Sequence, residues 1–326
     1  MTELTIPDLS DVLAARRRIA AHLRPTPLYG YPALDALAGT RIWVKHENHQ
    51  PIGAFKVRGG VNLISQLGPD DRRRGVITAS TGNHGQSIAY AAGLFGVLAI
   101  VCVPEQANPV KLESMRALGA EVISHGRDFD EAREHCEKLA SEHGYRYIHS
   151  ANEPALIAGV ATYTLEILEA QPDTDVIVVP VGGGSGAAGA CIVARAVRPS
   201  IEVIGVQSAA APAAYRSWQA RALVEDRTAT IAEGLATRTA FELTQRILWE
   251  RLDDFVLVSE DELAEANRVM ISKTRNLVEP AGAAALAAVL AAPGRFAGRQ
   301  VAVVCSGGNI SPEQLVRLWP ADPAPA

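Results

Sequence analysis

A lysine that follows an aromatic residue is the first candidate for chemistry. The segment 45–59 reads KHENHQPIGAFKVRG, and its turn-rich part leads into Phe55 and Lys56. We predict that Phe55 and Lys56 open a helix, so that the amine lies in a pocket close to a helix N-terminus. Such surroundings lower the pKa of a lysine and favour its neutral, nucleophilic form. Taken alone, the segment would by default be an exposed lysine beside a buried phenylalanine.

A glycine loop is the second candidate. The β-branched run 175–181 is followed by Gly182, Gly183, Gly184, Ser185 and Gly186. A strand, a glycine loop and a helix start form a cradle for phosphate, because backbone N–H groups converge and the helix dipole favours an anion. The alternative without a ligand is tight packing between the strand and the helix.

The same loop also resembles a dinucleotide motif, since residues 184–189 match GxGxxG. A dinucleotide site needs an acidic residue about 20 positions further on to hold the ribose. The next predicted strand is instead followed by Gln207. We therefore predict a single phosphate, with a dinucleotide-dependent oxidoreductase as a distant alternative.

Two further polar turns follow predicted strands. The first contains Ser80, Thr81, Gly82, Asn83 and His84. It begins a predicted helix, so its backbone amides can hold a carboxylate. The second turn, 305–309, also follows a strand, and the carboxyl ends of strands form the active sites of open α/β sheets. A lysine nucleophile, a carboxylate cradle and a phosphate cradle together indicate pyridoxal phosphate acting on an amino acid.

Alternating strands and helices must position these turns. Strands are predicted at 41–45, 75–79, 98–103, 121–124, 176–181, 202–206 and 300–305. Helices are predicted at 11–23, 56–67, 85–94, 109–118, 128–143, 153–170, 186–197, 260–273 and 281–290. The strands are almost entirely apolar, as expected where both faces of a sheet are covered. This alternation predicts an α/β fold with a mostly parallel sheet.

Length and composition exclude several classes of function. The chain has 326 residues and a formal net charge of −5, which gives no electrostatic footprint for nucleic acid. Its apolar runs are shorter than the roughly 20 residues of a membrane span, and its N-terminus lacks the pattern of a signal peptide. Cysteines 102, 136, 191 and 305 show no CxxC spacing, and we expect buried free thiols. We expect a cytoplasmic protein without nucleic-acid or membrane partners.

From Pro25 to Asn309, nearly the whole chain, the sequence resembles fold-type II pyridoxal phosphate enzymes. The similarity is to the serine/threonine dehydratase (threonine ammonia-lyase) and serine racemase family. It rests on the GAFKVRG segment, the polar turn 80–84, the glycine loop and Ser306. It implies a fold like that of tryptophan synthase β, with two open, mostly parallel sheets and flanking helices.

The resemblance implies a role for each of these residues. Lys56 would form the Schiff base with pyridoxal phosphate and act as the base for the Cα proton. Phe55 would pack near the cofactor ring, Asn83 would reach the ring hydroxyl, and Ser306 would bind the pyridine nitrogen. The glycine loop would hold the phosphate, and the turn 80–84 would hold the substrate carboxylate. Thr81 is a second catalytic candidate, because the racemase carries a serine acid at this position.

The resemblance also implies the organisation of the chain. A large cofactor-binding domain would comprise 1–73 and 152–326, and a small domain, 74–151, would close over the substrate. No C-terminal regulatory domain is expected, and a homodimer is expected because dimers are common in the family.

Several departures from the family pattern affect metal binding and substrate choice. Gln207 and Ala213 replace two acidic residues of a divalent-ion site, and we predict no tightly bound divalent ion. A monovalent cation near Gln207 stays open, and His46, Glu47 and His49 fit no strong metal motif. At positions 54, 160 and 161 this chain is more apolar than the family, which favours a bulkier substrate than serine or threonine.

The predicted reaction is β-elimination from a β-hydroxy L-amino acid, which yields a 2-oxo acid and ammonia. The substrate would be of the serine or threonine type, or a bulkier or modified relative such as a phenylserine. An amino-acid racemase is the alternative. A third possibility is a catalytically silent protein that binds the cofactor or an amino acid.

Overall fold

The computed structural model describes residues 4–127 and 129–319. Within these residues the strands β1 to β10 are Leu28–Gly30, Arg41–His46, Val76–Ala79, Ala99–Val103, Glu121–Ser124, Arg146–Tyr147, Val176–Pro180, Glu202–Ser208, Asp254–Val258 and Gln300–Cys305. The helices α1 to α15 are Leu9–Ile19, Pro32–Ala38, Lys56–Ile64, Pro69–Arg74, Asn83–Phe95, Pro109–Ala117, Phe129–His143, Pro154–Ala170, Ser185–Val197, Ala213–Ala220, Glu242–Arg251, Glu260–Thr274, Pro280–Ala291, Pro293–Phe296 and Pro312–Leu318. Two 3₁₀ turns lie at Glu47–His49 and Glu233–Leu235.

The strands form two sheets. The six-stranded sheet has the order β1-β2-β10-β7-β8-β9, and the four-stranded sheet has the order β5-β4-β3-β6. Every pairing is parallel except that of β1 with β2. The expectation of two open, mostly parallel sheets with flanking helices is confirmed.

The three strands that the sequence analysis missed all lie at sheet edges. β1 and β6 have three and two residues, which is too short for a hydrophobic pattern to stand out. β9 has five residues, begins with an acidic residue and is buried at two positions only. The seven predicted strands are all present. Six of them lie inside a sheet, where continuous apolar runs are expected, and β5 lies at an edge.

Each predicted helix is present, although several bounds were wrong. α1 begins at Leu9, because the Asp8 side chain accepts a hydrogen bond from the N–H of Asp11 at 3.1 Å and caps the helix. α3 ends at Ile64 rather than at 67, and the predicted helix start at 128 lies outside the described residues. The missed helices are short, and they are α2, α4, α10, α11, α14 and α15.

A buried cluster of charges fixes helix α3, which carries Lys56 at its first position. The Arg58 guanidinium donates to both carboxylate oxygens of Glu47, at 2.7 and 2.8 Å, and to both of Glu166, at 2.6 and 2.7 Å. Lys45 donates to Glu166 at 2.5 Å and to the carbonyl of Thr26 at 2.7 Å. Two cations and two anions thus compensate one another, as buried charges must. The cluster joins β2, the first 3₁₀ turn, α3 and α8.

Glycines bring α3 close to α8. A Cβ on Gly159 would lie 2.5 Å from the carbonyl oxygen of Arg58, and one on Gly59 would lie 2.8 Å from that of Leu156. Neither position tolerates a side chain unless a backbone moves. The close packing and the charge cluster together fix the direction of α3, and hence the place of its first residue.

The sequence analysis also made predictions about the cysteines and about membrane-spanning segments. The cysteines at 102, 136, 191 and 305 are all free and buried, as predicted. Among the described residues, no helix combines the length and the apolar character needed to cross a membrane.

Candidate active site

Hydrogen bonds bring the four chemistry-bearing segments together. The Lys56 ammonium donates to the Ser185 hydroxyl at 3.0 Å, which joins the lysine segment to the glycine loop. The N–H of Phe55 donates to the carbonyl of Ser306 at 3.1 Å. The Asn309 amide donates to the Asn83 side-chain carbonyl at 2.7 Å. Because β3, β7 and β10 end just before three of these segments, the cluster lies at the carboxyl ends of strands.

The Lys56 side chain is half-buried against aromatic rings. Its Nζ lies 5.2 Å from the centroid of the Phe55 ring, and Phe55 meets the Tyr163 ring edge to face at 6.5 Å. Burial lowers the pKa of Lys56 from 10.5 to about 8, because an ammonium loses hydration there. About a tenth of the amine is therefore neutral at pH 7, a much larger fraction than in an ordinary lysine.

The polar turn is shaped by the Ser80 hydroxyl. Its oxygen accepts hydrogen bonds from the N–H groups of Gly82, at 3.2 Å, and Gly85, at 2.9 Å. Gly82 is the N-cap of α5, and Asn83 is the first helical residue, although the helix was predicted to start at 85. The first N–H groups of a helix have no partner within it, and Thr81 lies half-buried beside them. The turn has the features of a carboxylate cradle.

His84 is fixed as a neutral side chain. The Thr78 hydroxyl donates to the Ile148 carbonyl at 2.8 Å, so at 3.0 Å from the His84 Nε2 it must accept. The hydrogen-bond network thereby assigns the proton of the ring to Nε2. Burial lowers the pKa of His84 to about 3. His84 thus positions the turn as a neutral donor.

Glu279 is a site residue that the sequence analysis missed. Its carboxylate accepts a hydrogen bond from the Asn83 Nδ2 at 2.7 Å, and burial raises its pKa. Asn309 binds the oxygen of the Asn83 amide, and Glu279 accepts one of its two Nδ2 protons. The second Nδ2 proton stays available for a ligand. A Cβ on Gly307 would lie 2.1 Å from a Glu279 oxygen. A single glutamate before a proline gives no signal in the sequence.

His149 is a second missed residue. Its Nδ1 accepts hydrogen bonds from the N–H groups of Ala151 and Asn152, both at 3.0 Å, so Nε2 carries the proton. The ring meets Phe241 edge to face at 4.9 Å. Burial lowers the pKa of His149 to about 4, and the nearby charge of Lys56 adds to this effect. A neutral donor and an aromatic ring thus stand on one wall of the site.

The glycine loop serves packing as well as a cradle. Gly184 has φ of +86° and is the N-cap of α9, which begins at Ser185 rather than at the predicted 186. A Cβ on Gly182 would lie 2.1 Å from the Gly234 carbonyl oxygen, and one on Gly183 would lie 3.2 Å from the Phe241 ring. The loop therefore packs tightly, as the explanation without a ligand requires, and the phosphate cradle stays a prediction.

The residues weighed as metal ligands have other partners. Glu47 is bound by Arg58, and His46 stacks on His49 with centroids 4.9 Å apart. Gln207 accepts the N–H of Tyr215 at 3.0 Å. Over residues 4–127 and 129–319, no group of three or more metal-ligating side chains comes together.

Residues 19–307 match the family model described as pyridoxal-phosphate dependent enzyme. The chain belongs to this family. It is 37% identical to the L-threonine ammonia-lyase of Thermotoga maritima, over 95% of this chain and 77% of that protein. The crystal structure of a threonine deaminase from T.th. is 38% identical, with a TM-score of 0.89 over 94% of this chain and 99% of that one. The serine racemase structure from Dictyostelium discoideum is 34% identical, with a TM-score of 0.88 over 93% and 99%.

The site fits the cofactor of the family, pyridoxal phosphate. The aldehyde of the cofactor reacts with a neutral amine, and the lowered pKa of Lys56, about 8, raises the neutral fraction near physiological pH. Its phosphate needs converging N–H groups at a helix start, and the start of α9 lies 3.0 Å from this amine, measured at the Ser185 hydroxyl. The chain is thus a pyridoxal-phosphate-dependent enzyme whose donors suit that group.

Proposed function

We propose that this enzyme is an ammonia-lyase for a β-hydroxy L-amino acid, which releases a 2-oxo acid and ammonia. The observation that carries the proposal is the half-buried Lys56 amine, 3.0 Å from Ser185 at the glycine loop. The sequence relatives support it, since those described above are named for threonine ammonia-lyase and deaminase activity. The substrate side chain is that of serine or threonine, or a bulkier one.

Different side chains would bind the cofactor, bind the substrate and transfer the proton. When bound, pyridoxal phosphate acts as an electron sink that acidifies the Cα proton of an amino acid. Lys56 would hold the cofactor and, once released, take the Cα proton. The loop 182–186 would bind the phosphate, and the turn 80–84 the substrate carboxylate. Ser306 would face the pyridine nitrogen with a neutral hydroxyl, and Phe55 would pack against the ring.

Asn83 would orient the ring through its remaining amide proton. Glu279 and Asn309 hold the two ends of this amide, so its direction is fixed before a ligand binds. A preorganised donor of this kind costs no rearrangement during the reaction.

Racemisation is the second candidate activity. Thr81 supplies a hydroxyl in the same turn, and a serine racemase is among the solved structures that resemble this chain. In that reaction Lys56 and Thr81 would work on opposite faces of the substrate, one taking and one returning the Cα proton. The methyl group of Thr81 adds bulk that a serine lacks.

We also retain the proposed organisation of the chain. All four strands of the smaller sheet, β3 to β6, fall within 74–151, which supports a small domain there and a large domain formed by 1–73 and 152–326. A homodimer is proposed from the resemblance to the family. A cytoplasmic location is proposed because all four cysteines are free thiols, which a reducing compartment preserves.

A coupled assay for 2-oxo acids tests the proposed function. The panel is L-serine, L-threonine, threo-3-hydroxyaspartate and phenylserine, with the cofactor-loaded enzyme. We expect oxo acid from at least one member, and its loss by at least about a thousandfold in Lys56→Ala. The matched control is Lys138→Ala, an exposed lysine. Inversion of the substrate without oxo acid would favour the racemase, and full turnover by Lys56→Ala would end the proposal.

A further inference from the structure

A nearly buried lysine lies directly against the turn 80–84. Lys111, on α6, has only 8% of its side chain exposed. Its Nζ would be 3.6 Å from a Cβ on Gly82, so the ammonium stands beside the N-terminus of α5. None of the roles described above uses this charge.

The partner of Lys111 comes from the other side of the site. Glu233 lies in the second 3₁₀ turn, between β8 and β9 of the six-stranded sheet, and its carboxylate forms an ion pair with the Lys111 ammonium. The Glu233 side chain is 41% exposed and also accepts a hydrogen bond from the Gln314 amide at 2.6 Å. The cation is thus enclosed at the site, whereas its anion is partly hydrated.

Because Lys111 is enclosed and Glu233 is partly hydrated, another carboxylate can take the place of Glu233 beside the ammonium. A second carboxylate that replaced Glu233 would meet an ammonium already removed from water, so no new cation has to be desolvated. Glu233 would regain hydration and keep Gln314 as a partner. A hydrogen bond between charged groups is stronger than a neutral one. A substrate carboxylate would therefore bind more tightly to the backbone N–H groups and Lys111 together than to the N–H groups alone.

The charges around Glu279 belong to the same cluster. Burial raises the pKa of Glu279 most, the ammonium of Lys111 lowers it, and the carboxylate of Glu233 adds to the rise. Asn83 is hydrogen-bonded to Glu279 and follows Gly82, where a Cβ would lie 3.6 Å from the Lys111 Nζ. The lysine acts on the site electrostatically, and its contact with Glu233 is more than a distant surface bridge.

We propose that Lys111 is a substrate-binding residue whose ammonium pairs with the substrate carboxylate at the turn 80–84, while Glu233 holds it in the free enzyme. The inference rests on the proposed function, since it takes this turn to be the carboxylate site. The opposing interpretation is that the ion pair only fastens the two sides of the site together.

Breaking the pair from either side separates the two interpretations. L-Alanine has no β-leaving group, so its equilibrium affinity for the cofactor-loaded enzyme can be measured from the absorbance of the bound cofactor. Lys111→Met removes the cation, and we expect L-alanine to bind about tenfold to a hundredfold more weakly. Glu233→Gln leaves the cation without a competitor, and we expect tighter binding. A mere fastener predicts a change in the same direction for both variants.

L-Alaninamide, which lacks the carboxylate charge, is the matched probe. We expect its affinity to change by no more than about twofold in either variant. Equal weakening of both probes in Lys111→Met, or weaker binding of L-alanine to Glu233→Gln, would overturn the role of Lys111. If wild-type enzyme does not respond to L-alanine at all, the carboxylate site of the proposed function fails and this inference falls with it. Glu233→Gln keeps the test valid if Lys111→Met does not fold.

Discussion

Lys56 has the surroundings that an amine needs to react near neutral pH. Phe55 and the start of α9 enclose it, and burial lowers its pKa to about 8. A protonated amine cannot attack an aldehyde, so the reactive fraction grows as the pH rises through this value and is complete above it.

The rate of cofactor capture by apo-enzyme should follow this titration. We expect the rate to rise with pH and to level off above about 8, because Lys56 is then neutral. The measurement is the growth of the bound-cofactor absorbance after mixing at a series of pH values. Reaction of the cofactor with free Nα-acetyl-lysine should instead keep rising towards the usual lysine pKa of about 10.4. A capture rate that also climbs that far would contradict the buried amine.

Glu279 should stabilise the fold through its acceptor oxygen more than through its charge. Glu279→Leu leaves a half-buried Asn83 N–H without its partner, and we expect a loss of about 1–3 kcal/mol of unfolding free energy. Glu279→Gln keeps an oxygen at the same place and should cost less. Urea unfolding of both variants measures the difference, and equal losses would show that the carboxylate charge is what matters.

The sequence indicated some of these residues and concealed others. Short motifs that indicate a particular chemistry contain Lys56, Asn83 and the glycine loop. Glu279 and Lys111 stand in no motif. They reach the site because distant segments fold together, and this depends on the order of strands that a local pattern does not contain.

At the scale of elements, the direction of α3 depends on the buried cluster of Arg58, Glu47, Glu166 and Lys45. Arg58 is two residues after Lys56, so a shift in its guanidinium would move the amine. Every carboxylate in the cluster has a cationic partner, and removal of one partner leaves an uncompensated charge.

Arg58→Met should therefore lower the unfolding free energy by about 3–5 kcal/mol. The matched control is Arg16→Met, which breaks the ion pair between Arg16 and Glu169. Glu169 lies on α8, the helix that also carries Glu166. That pair is exposed at 40% and 53% of its side chains, and its loss should cost about 0–1 kcal/mol. Denaturant unfolding compares the two variants, and similar losses would mean that the buried cluster carries no special weight.

Hydrophobic patterning predicted the central elements and missed the marginal ones. The interior strands β4, β7 and β10 contain uninterrupted apolar runs, so their pattern is strong. Edge strands such as β6, with two residues, and helices of four residues such as α14 are held by neighbouring elements rather than by their own sequence.

At the scale of the whole molecule, two ion pairs of opposite polarity join the helices of the smaller sheet to the segment 233–238. Lys111 on α6 pairs with Glu233, and Asp130 on α7 pairs with Arg238 at 3.1 Å. In one pair the helix carries the cation, and in the other it carries the anion. This arrangement favours one alignment of the helices with the segment 233–238, because in a shifted alignment like charges would meet. The contact was invisible in the sequence because it joins segments about a hundred residues apart.

Charge reversal tests the second pair. We expect Arg238→Asp to raise KM, because the carboxylate would face Asp130 and hinder closure of the proposed small domain. The double variant Asp130→Lys with Arg238→Asp should recover most of the loss, although the coupling of a partly exposed pair is only about 0.2–1 kcal/mol. Additive effects of the two single changes would show that this contact does not contribute to closure.

The measurement that tests the whole account most directly is the site of cofactor attachment. Borohydride reduction of the cofactor-loaded enzyme, followed by peptide mapping, identifies the lysine that holds pyridoxal phosphate. We predict that the label lies on Lys56 alone, since its amine is buried beside the glycine loop at 3.0 Å from Ser185. A label on Lys45 or Lys111, or no stable label at all, would contradict the site described for this enzyme.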